Sequence, residues 1–103
     1  MAWGMKVEYS KVFIKASKKL SGKSLESLRR TIAEVKVAKN LSEITDCKKL
    51  INFNSTYRIR IGSYRAFFTC HIEVVDGIVK FEYLVSRGQA YSKEIIQKLK
   101  IKD

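Results

Sequence analysis

The spacing of apolar residues changes near the middle of this chain. From Phe13 to Val35, apolar residues recur every three or four positions, which is typical of helices that bury one face. From Tyr57 to Ser86, β-branched and aromatic residues alternate with polar ones, which is typical of strands. Helices followed by a run of strands indicate an α+β domain, with the helices packed on one face of a small sheet.

Capping residues set the boundaries of the elements predicted for the first half. The alternating segment 5–10 predicts an N-terminal strand, and Ser10 can cap a helix that continues to about Leu20. Ser24 can cap a second helix, so the two form a helical hairpin. After an irregular connection, a three-stranded antiparallel meander and a basic C-terminal helix are predicted. The connection spans residues 41–54, the strands 57–61, 64–75 and 78–86, and the helix 91–102.

The chain is expected to form a single domain over residues 1–103, because it has no proline, repeat or linker. Residues 1–4 can be an extension before a natural start at Met5. No apolar run is long enough for a membrane span or a secretory signal, so we expect a cytoplasmic protein. Cys47 and Cys70 lack zinc-binding spacing, and we expect neither a metal nor a cofactor.

The net charge limits the kind of partner that the chain can have. Twenty-one Lys and Arg against ten Asp and Glu give a net charge of +11. On so small a domain, this excess indicates a polyanionic partner: nucleic acid, an acidic protein segment or an anionic membrane surface. The alternative is that the basic surface serves solubility alone.

A two-residue turn at Gly62-Ser63 gathers arginines on one face of the sheet. The turn places Arg60 opposite Arg65, with Arg58 on the same face. Like charges directly opposite each other destabilise a strand pair unless an anion lies there, and Arg binds phosphate oxygens through paired donors. We interpret this face as a phosphate-binding surface. The alternative is that these arginines are ordinary solvated residues.

The second hairpin is predicted to turn at the Asp-Gly pair of residues 76–77, the strongest turn signal in the chain. That turn pairs Phe68 with Val85 and directs Arg87 toward the apolar core, away from the other arginines, unless the strand ends or bulges near Ser86. We expect the strand to end there, because Ser-Arg-Gly is typical of a loop.

Two further side chains are candidates for chemistry. Tyr91 follows Arg87 by four residues and can stack on a base, orient a hydroxyl or pack the last helix against the sheet. His71, the one histidine, falls within a strand roughly 20 Å from Arg65 and is expected to be incidental. No arrangement of Ser, Cys or carboxylates resembles a hydrolase triad.

Two segments resemble the RelE/ParE superfamily of bacterial toxins from type II toxin–antitoxin systems. They are Tyr57-Arg-Ile-Arg-Ile-Gly-Ser-Tyr-Arg65 and Leu84-Val-Ser-Arg-Gly-Gln-Ala-Tyr91. The order of elements is similar over nearly the whole domain. The resemblance implies the RelE-like fold and one of two activities, since RelE-like toxins cleave mRNA in the ribosomal A site and ParE-like toxins inhibit DNA gyrase.

In its RelE-like form, the resemblance also implies a set of site residues. The catalytic residues are Arg65, Arg87 and Tyr91, and the RNA- or phosphate-binding residues are Arg58 and Arg60. Lys98 and Lys100 of the last helix are expected to add binding to the ribosome or its RNA. Many relatives have a His at the position of Ser86 and Lys at the basic pair. Because Arg does not readily give up a proton, acid–base work falls to Tyr91 or to ribosomal RNA.

The function that these inferences favour is a metal-free endoribonuclease that depends on the ribosome and uses the 2′-OH of the mRNA. Its expected partners are a cognate acidic antitoxin, the ribosome and mRNA, with no membrane and no small-molecule cofactor. Three alternatives stay open: a ParE-like gyrase inhibitor, a non-catalytic basic nucleic-acid-binding module, and a degenerate toxin that only binds its antitoxin.

Overall fold

Helices and strands follow one another largely as the sequence predicts. A computed structural model describes residues 6–72 and 77–103, and of residues 70–72 and 77 it describes the backbone alone. The helices are α1 (Lys11–Ser17), α2 (Gly22–Val37) and α3 (Lys93–Lys102), with a 3-10 turn at Leu41–Glu43. The strands are β1 (Lys6–Tyr9), β2 (Cys47–Lys49), β3 (Thr56–Ile61), β4 (Tyr64–Ile72) and β5 (Gly77–Ser86). The predicted α+β class is confirmed, whereas the proposed start at Met5 lies outside the described residues.

The sheet contains one strand that the sequence did not predict. Its strand order is β1-β5-β4-β3-β2, with β1 parallel to β5 and the other neighbours antiparallel. The prediction of an irregular connection over residues 41–54 is wrong at β2, which pairs Lys48 with Arg58 at the edge of the sheet. A strand of three residues is too short to show alternation, and only its pairing with β3 defines it.

A serine occupies the N-cap position of each of the two N-terminal helices, and the serine before α2 is not the one that was predicted. The Ser10 hydroxyl accepts a hydrogen bond from the Phe13 N–H at 3.0 Å and donates one to the Glu82 carbonyl, which anchors α1 to β5. For α2 the predicted cap, Ser24, is wrong, because Ser21 occupies that position. The chain turns into the helix earlier, at Gly22, which adopts the left-handed φ of 56° open to glycine.

Helices cover both faces of the sheet, not one. On the first face, α1 and α2 bury Phe13, Leu28 and Val35 against the sheet, where Ala66 and Phe68 are fully buried. On the opposite face, α3 packs on the sheet through a second apolar cluster: Phe53, Phe67, Ala90, Ile95 and Leu99. The prediction that the helices share one face is therefore wrong for α3. An amphipathic helix shows that it must bury one face, but not against which layer.

The predicted register of the second hairpin is also wrong. Phe68 pairs with Phe81 instead of Val85, and Ile72 pairs with Gly77, so residues 73–76, which lie outside the described residues, connect the strands. A register shift between Phe67 and Phe68 adds a residue to β5. Core packing outweighs the local turn signal, because the Phe68 and Phe81 rings meet in the core with centroids 5.5 Å apart.

Asp103 joins the end of α3 to the segment before β3. Its carboxylate accepts hydrogen bonds from the backbone N–H groups of Asn54 and Ser55 and from the Thr56 hydroxyl, each at 2.8 Å at its shortest. Burial opposes ionisation, but these donors outweigh it and lower the pKa of the Asp103 carboxyl from 3.8 to about 2. The ionised side chain therefore holds α3 against the sheet.

The substitution Asp103→Asn is expected to reduce stability in a pH-dependent way. Because the folded-state pKa is depressed, the carboxylate stabilises the fold above about pH 4, and this stabilisation is lost as the pH falls toward 2. In urea denaturation, the variant should lose about 1–2 kcal/mol at pH 7 and converge with the wild type near pH 2. Glu26→Gln, which alters a surface carboxylate on α2, is the control and should show no such dependence. An equal difference at both pH values would contradict this role.

Candidate functional site

Four arginines lie near the turn between β3 and β4; we call Arg58, Arg60, Arg65 and Arg87 the arginine cluster. Arg60 and Arg65 are direct cross-strand partners, as predicted, and Gly62 forms the turn with a φ of 57°. Arg58 precedes Arg60 by two residues and therefore faces the same side of β3. Arg87 follows β5, and its backbone N–H donates to the carbonyl of Ser63 at 2.8 Å. The sheet thus brings these residues together from three strands.

The corrected register explains how Arg87 comes to the same side as the other arginines. Val85 pairs with Arg65 and packs in the apolar cluster under α3, not in the core under α1 and α2. Alternation therefore takes Arg87 to the face of the arginine cluster, and the conflict predicted from the Asp-Gly turn disappears. The strand ends at Ser86, as expected.

The arginine cluster concentrates positive charge without a matching carboxylate. The pKa of the Arg65 guanidinium lies below its ordinary value, first because of burial and then because the other three arginines repel it. The Tyr91 hydroxyl acts in the opposite direction. Within residues 6–72 and 77–103, every ion pair involves other residues, so no carboxylate there lies within ion-pair distance of the cluster. Such a surface favours binding of an anion.

Arg58 and Tyr91 form a hydrogen-bonded pair at the centre of the site. Arg58 is only 8% exposed, and its Nη1 donates to the Tyr91 hydroxyl oxygen at 3.1 Å. Its buried Nε donates to no acceptor in the part of the chain that the structure describes. The Tyr91 ring contacts Phe67 edge-on, with centroids 6.2 Å apart, yet Tyr91 is 54% exposed. Tyr91 therefore packs against the sheet and still leaves about half of its surface exposed to solvent.

The Arg65 side chain is oriented by its own turn. Its Nη1 donates to the carbonyls of Gly62 and Tyr64, at 3.0 and 2.9 Å. These bonds use one nitrogen of the guanidinium and leave the other donors available. Arg65 is thus oriented before any ligand arrives.

The two lysines predicted on the last helix do not join this cluster. Lys98 forms an ion pair with Glu94 at 3.0 Å, one turn earlier on α3. Lys100 donates to the Asn52 carbonyl and lies over the Phe53 ring, 4.1 Å from its centroid. Binding of the ribosome or its RNA by these two lysines stays a prediction. The side chain of His71 lies outside the described part of the chain.

A pocket beside the Arg58–Tyr91 pair was missed by the sequence analysis. We call it the loop pocket: it has a volume of about 350 Å³, and Leu50, Ile51 and Phe53 form much of its wall. The sequence showed only an apolar segment in a predicted connection. In the structure Ile51 is 86% exposed, which the sequence does not reveal, so the apolar residues that follow Lys48 and Lys49 were the available signal.

Neither metal ligands nor a membrane span are found in the described part of the chain. Residues 6–72 and 77–103 contain no group of three or more His, Cys, Asp or Glu side chains placed to hold a metal ion. In the same ranges no helix is long and apolar enough to cross a bilayer.

A basic α+β domain with arginines and a tyrosine at one end of its sheet is the arrangement implied by the RelE-like resemblance. Comparison with known proteins supports this class. The chain is 31% identical to Toxin RelE3 of Methanocaldococcus jannaschii over 88 residues, covering 84% of this chain and 96% of that toxin. No family model matches the chain. The chain belongs to the RelE family of toxins.

Solved structures share the fold at lower sequence identity. A chain of the archaeal RelE–RelB complex from Pyrococcus horikoshii OT3 matches with a TM-score of 0.66 and 24% identity, covering 87% of this chain and all of that one. A chain of the intact E. coli RelBE toxin–antitoxin complex matches with a TM-score of 0.64 and 20% identity, covering 81% and 96%. The E. coli toxin RelE in its free state, as an arginine double mutant, matches with a TM-score of 0.65 and 19% identity, covering 94% and 93%. The predicted RelE-like fold is confirmed.

Proposed function

We propose that this RelE-family chain is the toxin of a toxin–antitoxin pair and that it cuts mRNA bound in the ribosomal A site. The observation that carries the proposal is the arginine cluster, which forms no ion pair with a carboxylate in the described residues and includes Arg58, the hydrogen-bond donor to the Tyr91 hydroxyl. An anion-binding surface of this kind suits a polymer with a phosphate at every residue.

The reaction is transesterification within the mRNA. The 2′-oxygen of one nucleotide forms a bond to its own 3′ phosphorus, and the bond from that phosphorus to the 5′-oxygen of the next nucleotide breaks. The 2′-OH proton leaves to a base, and the departing 5′-oxygen takes up a proton. The products are a 2′,3′-cyclic phosphate and a 5′-OH end, and no water or metal enters the balance.

The arginines act by charge in this reaction. Arg65 and Arg87 face the phosphorane and neutralise the charge that develops on its oxygens, which is commonly the largest contribution to catalysis. Arg58 and Arg60 hold flanking phosphates. Because guanidinium groups do not give up protons near neutral pH, none of the four is the general base.

Tyr91 is the group in the site that can move a proton. Its hydroxyl oxygen accepts from Arg58, so its own proton is free to be donated to the leaving 5′-oxygen. Ser86 stands where many relatives have a His, and the base that takes the 2′-OH proton is supplied by ribosomal RNA. This division of labour makes cleavage dependent on the ribosome.

The partner of the chain in the cell is an acidic antitoxin. The net charge of +11 suits a negatively charged polypeptide as well as it suits RNA. Both toxin–antitoxin complexes described above, from Pyrococcus horikoshii and E. coli, also support such a partner. A toxin that acts on translating ribosomes works in the cytoplasm.

Primer extension on an mRNA in a reconstituted translation system tests the proposed function. With purified protein, we expect cuts at codon-spaced positions, each with a 5′-OH on the downstream fragment. The cuts should be absent when ribosomes are left out, because the ribosome orients the substrate and supplies the base. Cleavage of free mRNA at the same positions and rate would contradict this part of the proposal.

A further inference from the structure

The loop pocket lies next to the arginine cluster and shares two residues with the proposed site. Arg58 and Tyr91 form one side of the pocket, and Leu50, Phe53 and Ile96 provide apolar surface. Its volume of about 350 Å³ is in the lower part of the range seen for small-ligand sites, roughly 300–1,000 Å³. It is large enough for one planar aromatic group to enter beside the Tyr91 ring.

We propose that the loop pocket holds the base of one mRNA nucleotide and that Lys48 and Arg58 together bind the phosphate of that nucleotide. The inference rests on the proposed function, because mRNA is the anionic polymer that the function names. It assigns a role to two parts of the chain that the proposed chemistry does not use, Lys48 of β2 and the segment around Ile51.

The charges around the pocket favour a phosphate at its rim. Its lining residues include three cations, Lys48, Lys49 and Arg58, and no acidic residue. Lys48 and Arg58 are direct cross-strand partners, and like charges in that position destabilise a strand pair. The buried Nε of Arg58 has no acceptor among the described residues. A phosphate bound between Lys48 and Arg58 would separate these two positive charges and accept hydrogen bonds from the exposed Lys48 ammonium.

The interior of the pocket favours a base. Single-stranded RNA is recognised largely by unstacked bases that lie against aromatic side chains and apolar surface. The Tyr91 ring is half-exposed and held in place by Phe67 and Arg58. Ile51 is 86% exposed in the free protein, and a base in the pocket would cover it.

The segment that forms the wall of the loop pocket is held in place by a backbone hydrogen bond and by Lys100 of α3. The N–H of Phe53 donates to the Leu50 carbonyl, and Lys100 contacts both the Asn52 carbonyl and the Phe53 ring. Lys100 thereby acts on RNA indirectly, as a residue that positions the wall of the loop pocket. Because the pocket presents stacking surface and cations, it accepts different bases and contributes affinity more than sequence preference.

Binding of two labelled polymers to the full chain tests this inference without ribosomes or cleavage. One is a short single-stranded RNA of mixed sequence, and the other is an abasic ribose-phosphate polymer of the same length. Fluorescence anisotropy should show that Ile51→Ser weakens binding of the RNA about fivefold or more and leaves the abasic polymer unchanged. The matched control is Ile101→Ser on α3, where the side chain is 83% exposed and lies outside the pocket.

A second variant distinguishes binding of the phosphate from binding of the base. Lys48→Ala should weaken binding of both polymers and lower the salt dependence of binding by about one unit in slope. Lys18→Ala removes an exposed lysine at the end of α1 and should change neither quantity appreciably.

Three results would overturn the inference. They are an equal affinity of the wild-type protein for the two polymers, an equal effect of Ile51→Ser and Ile101→Ser, and a loss of antitoxin binding by Ile51→Ser with RNA binding intact. The last would assign the pocket to the antitoxin. Base-dependent binding that persists when ribosome-dependent cleavage is absent would support the pocket and reject the proposed function, so the two failures are distinguishable.

Discussion

Replacing Arg65 with alanine is expected to lower the rate constant of mRNA cleavage about a hundredfold to a thousandfold. Loss of one preorganised donor to a developing oxyanion commonly costs about 2.7–4 kcal/mol of transition-state stabilisation. Arg65 is preorganised because the carbonyls of Gly62 and Tyr64 hold its guanidinium in place. Single-turnover cleavage of ribosome-bound mRNA at saturating protein is the measurement, because it separates the chemical step from binding.

Two further variants make this result specific to the position of Arg65. Arg30→Ala removes the same charge from an exposed arginine of α2, which pairs with Glu26, and should leave the rate constant nearly unchanged. Arg65→Lys keeps the charge but loses the planar pair of donors, so its rate constant should fall between those of alanine and the wild type. A folded Arg65→Ala protein that cleaves at the wild-type rate would contradict the catalytic role.

Replacing Arg58 with methionine is expected to lower cleavage roughly a hundredfold while making the protein more stable. Activity falls because Tyr91 loses the donor that orients it, and misplacing a reacting group by about 1 Å can cost this much. Stability rises because the substitution removes a buried positive charge that has no carboxylate partner in the described residues. We expect the free energy of unfolding to increase by about 1 kcal/mol.

Thermal unfolding and cleavage are measured on the same proteins, to check that stability rises while cleavage falls. A gain of about 1 kcal/mol corresponds to a melting temperature higher by roughly 4–8 °C in a domain of this size. Tyr91→Phe should also reduce cleavage, but it should lower stability, because it leaves the buried Arg58 Nη1 without its described acceptor. Arg29→Met, at an exposed position of α2, should change neither quantity. A melting temperature of Arg58→Met below that of the wild type would contradict the expectation that the buried charge of Arg58 lowers the stability of the fold.

Local signals predicted the parts of the site that depend on one turn or one helix. The Gly62-Ser63 turn defines the pairing of Arg60 with Arg65, because a two-residue hairpin leaves a single register for its strands. The stripe of apolar residues in α2 likewise predicted its buried face. Both features are determined by residues that lie close together in the sequence.

Features that depend on distant contacts were predicted wrongly or missed. The side of the sheet on which Arg87 lies depends on the bulge in β5, next to which Phe68 packs against Phe81 in the core. The strand β2 exists through its pairing with β3. The loop pocket needs β2 paired beside β3 and α3 packed on the face of Arg58, and the sequence predicted neither. The apolar Phe67 between Ala66 and Phe68 was the one indication that both faces of β4 are covered.

The central claim is that the chain cuts mRNA only on the ribosome and by means of the 2′-OH. The most direct measurement is primer extension on two mRNAs that differ at one atom, with a single 2′-deoxynucleotide placed at a mapped cut. With ribosomes and purified protein, we predict that the cut at this nucleotide disappears while neighbouring cuts persist, because the nucleophile has been removed. Without ribosomes, neither mRNA should be cut. Continued cleavage at the deoxynucleotide, or intact mRNA at saturating protein in the presence of ribosomes, would contradict the claim.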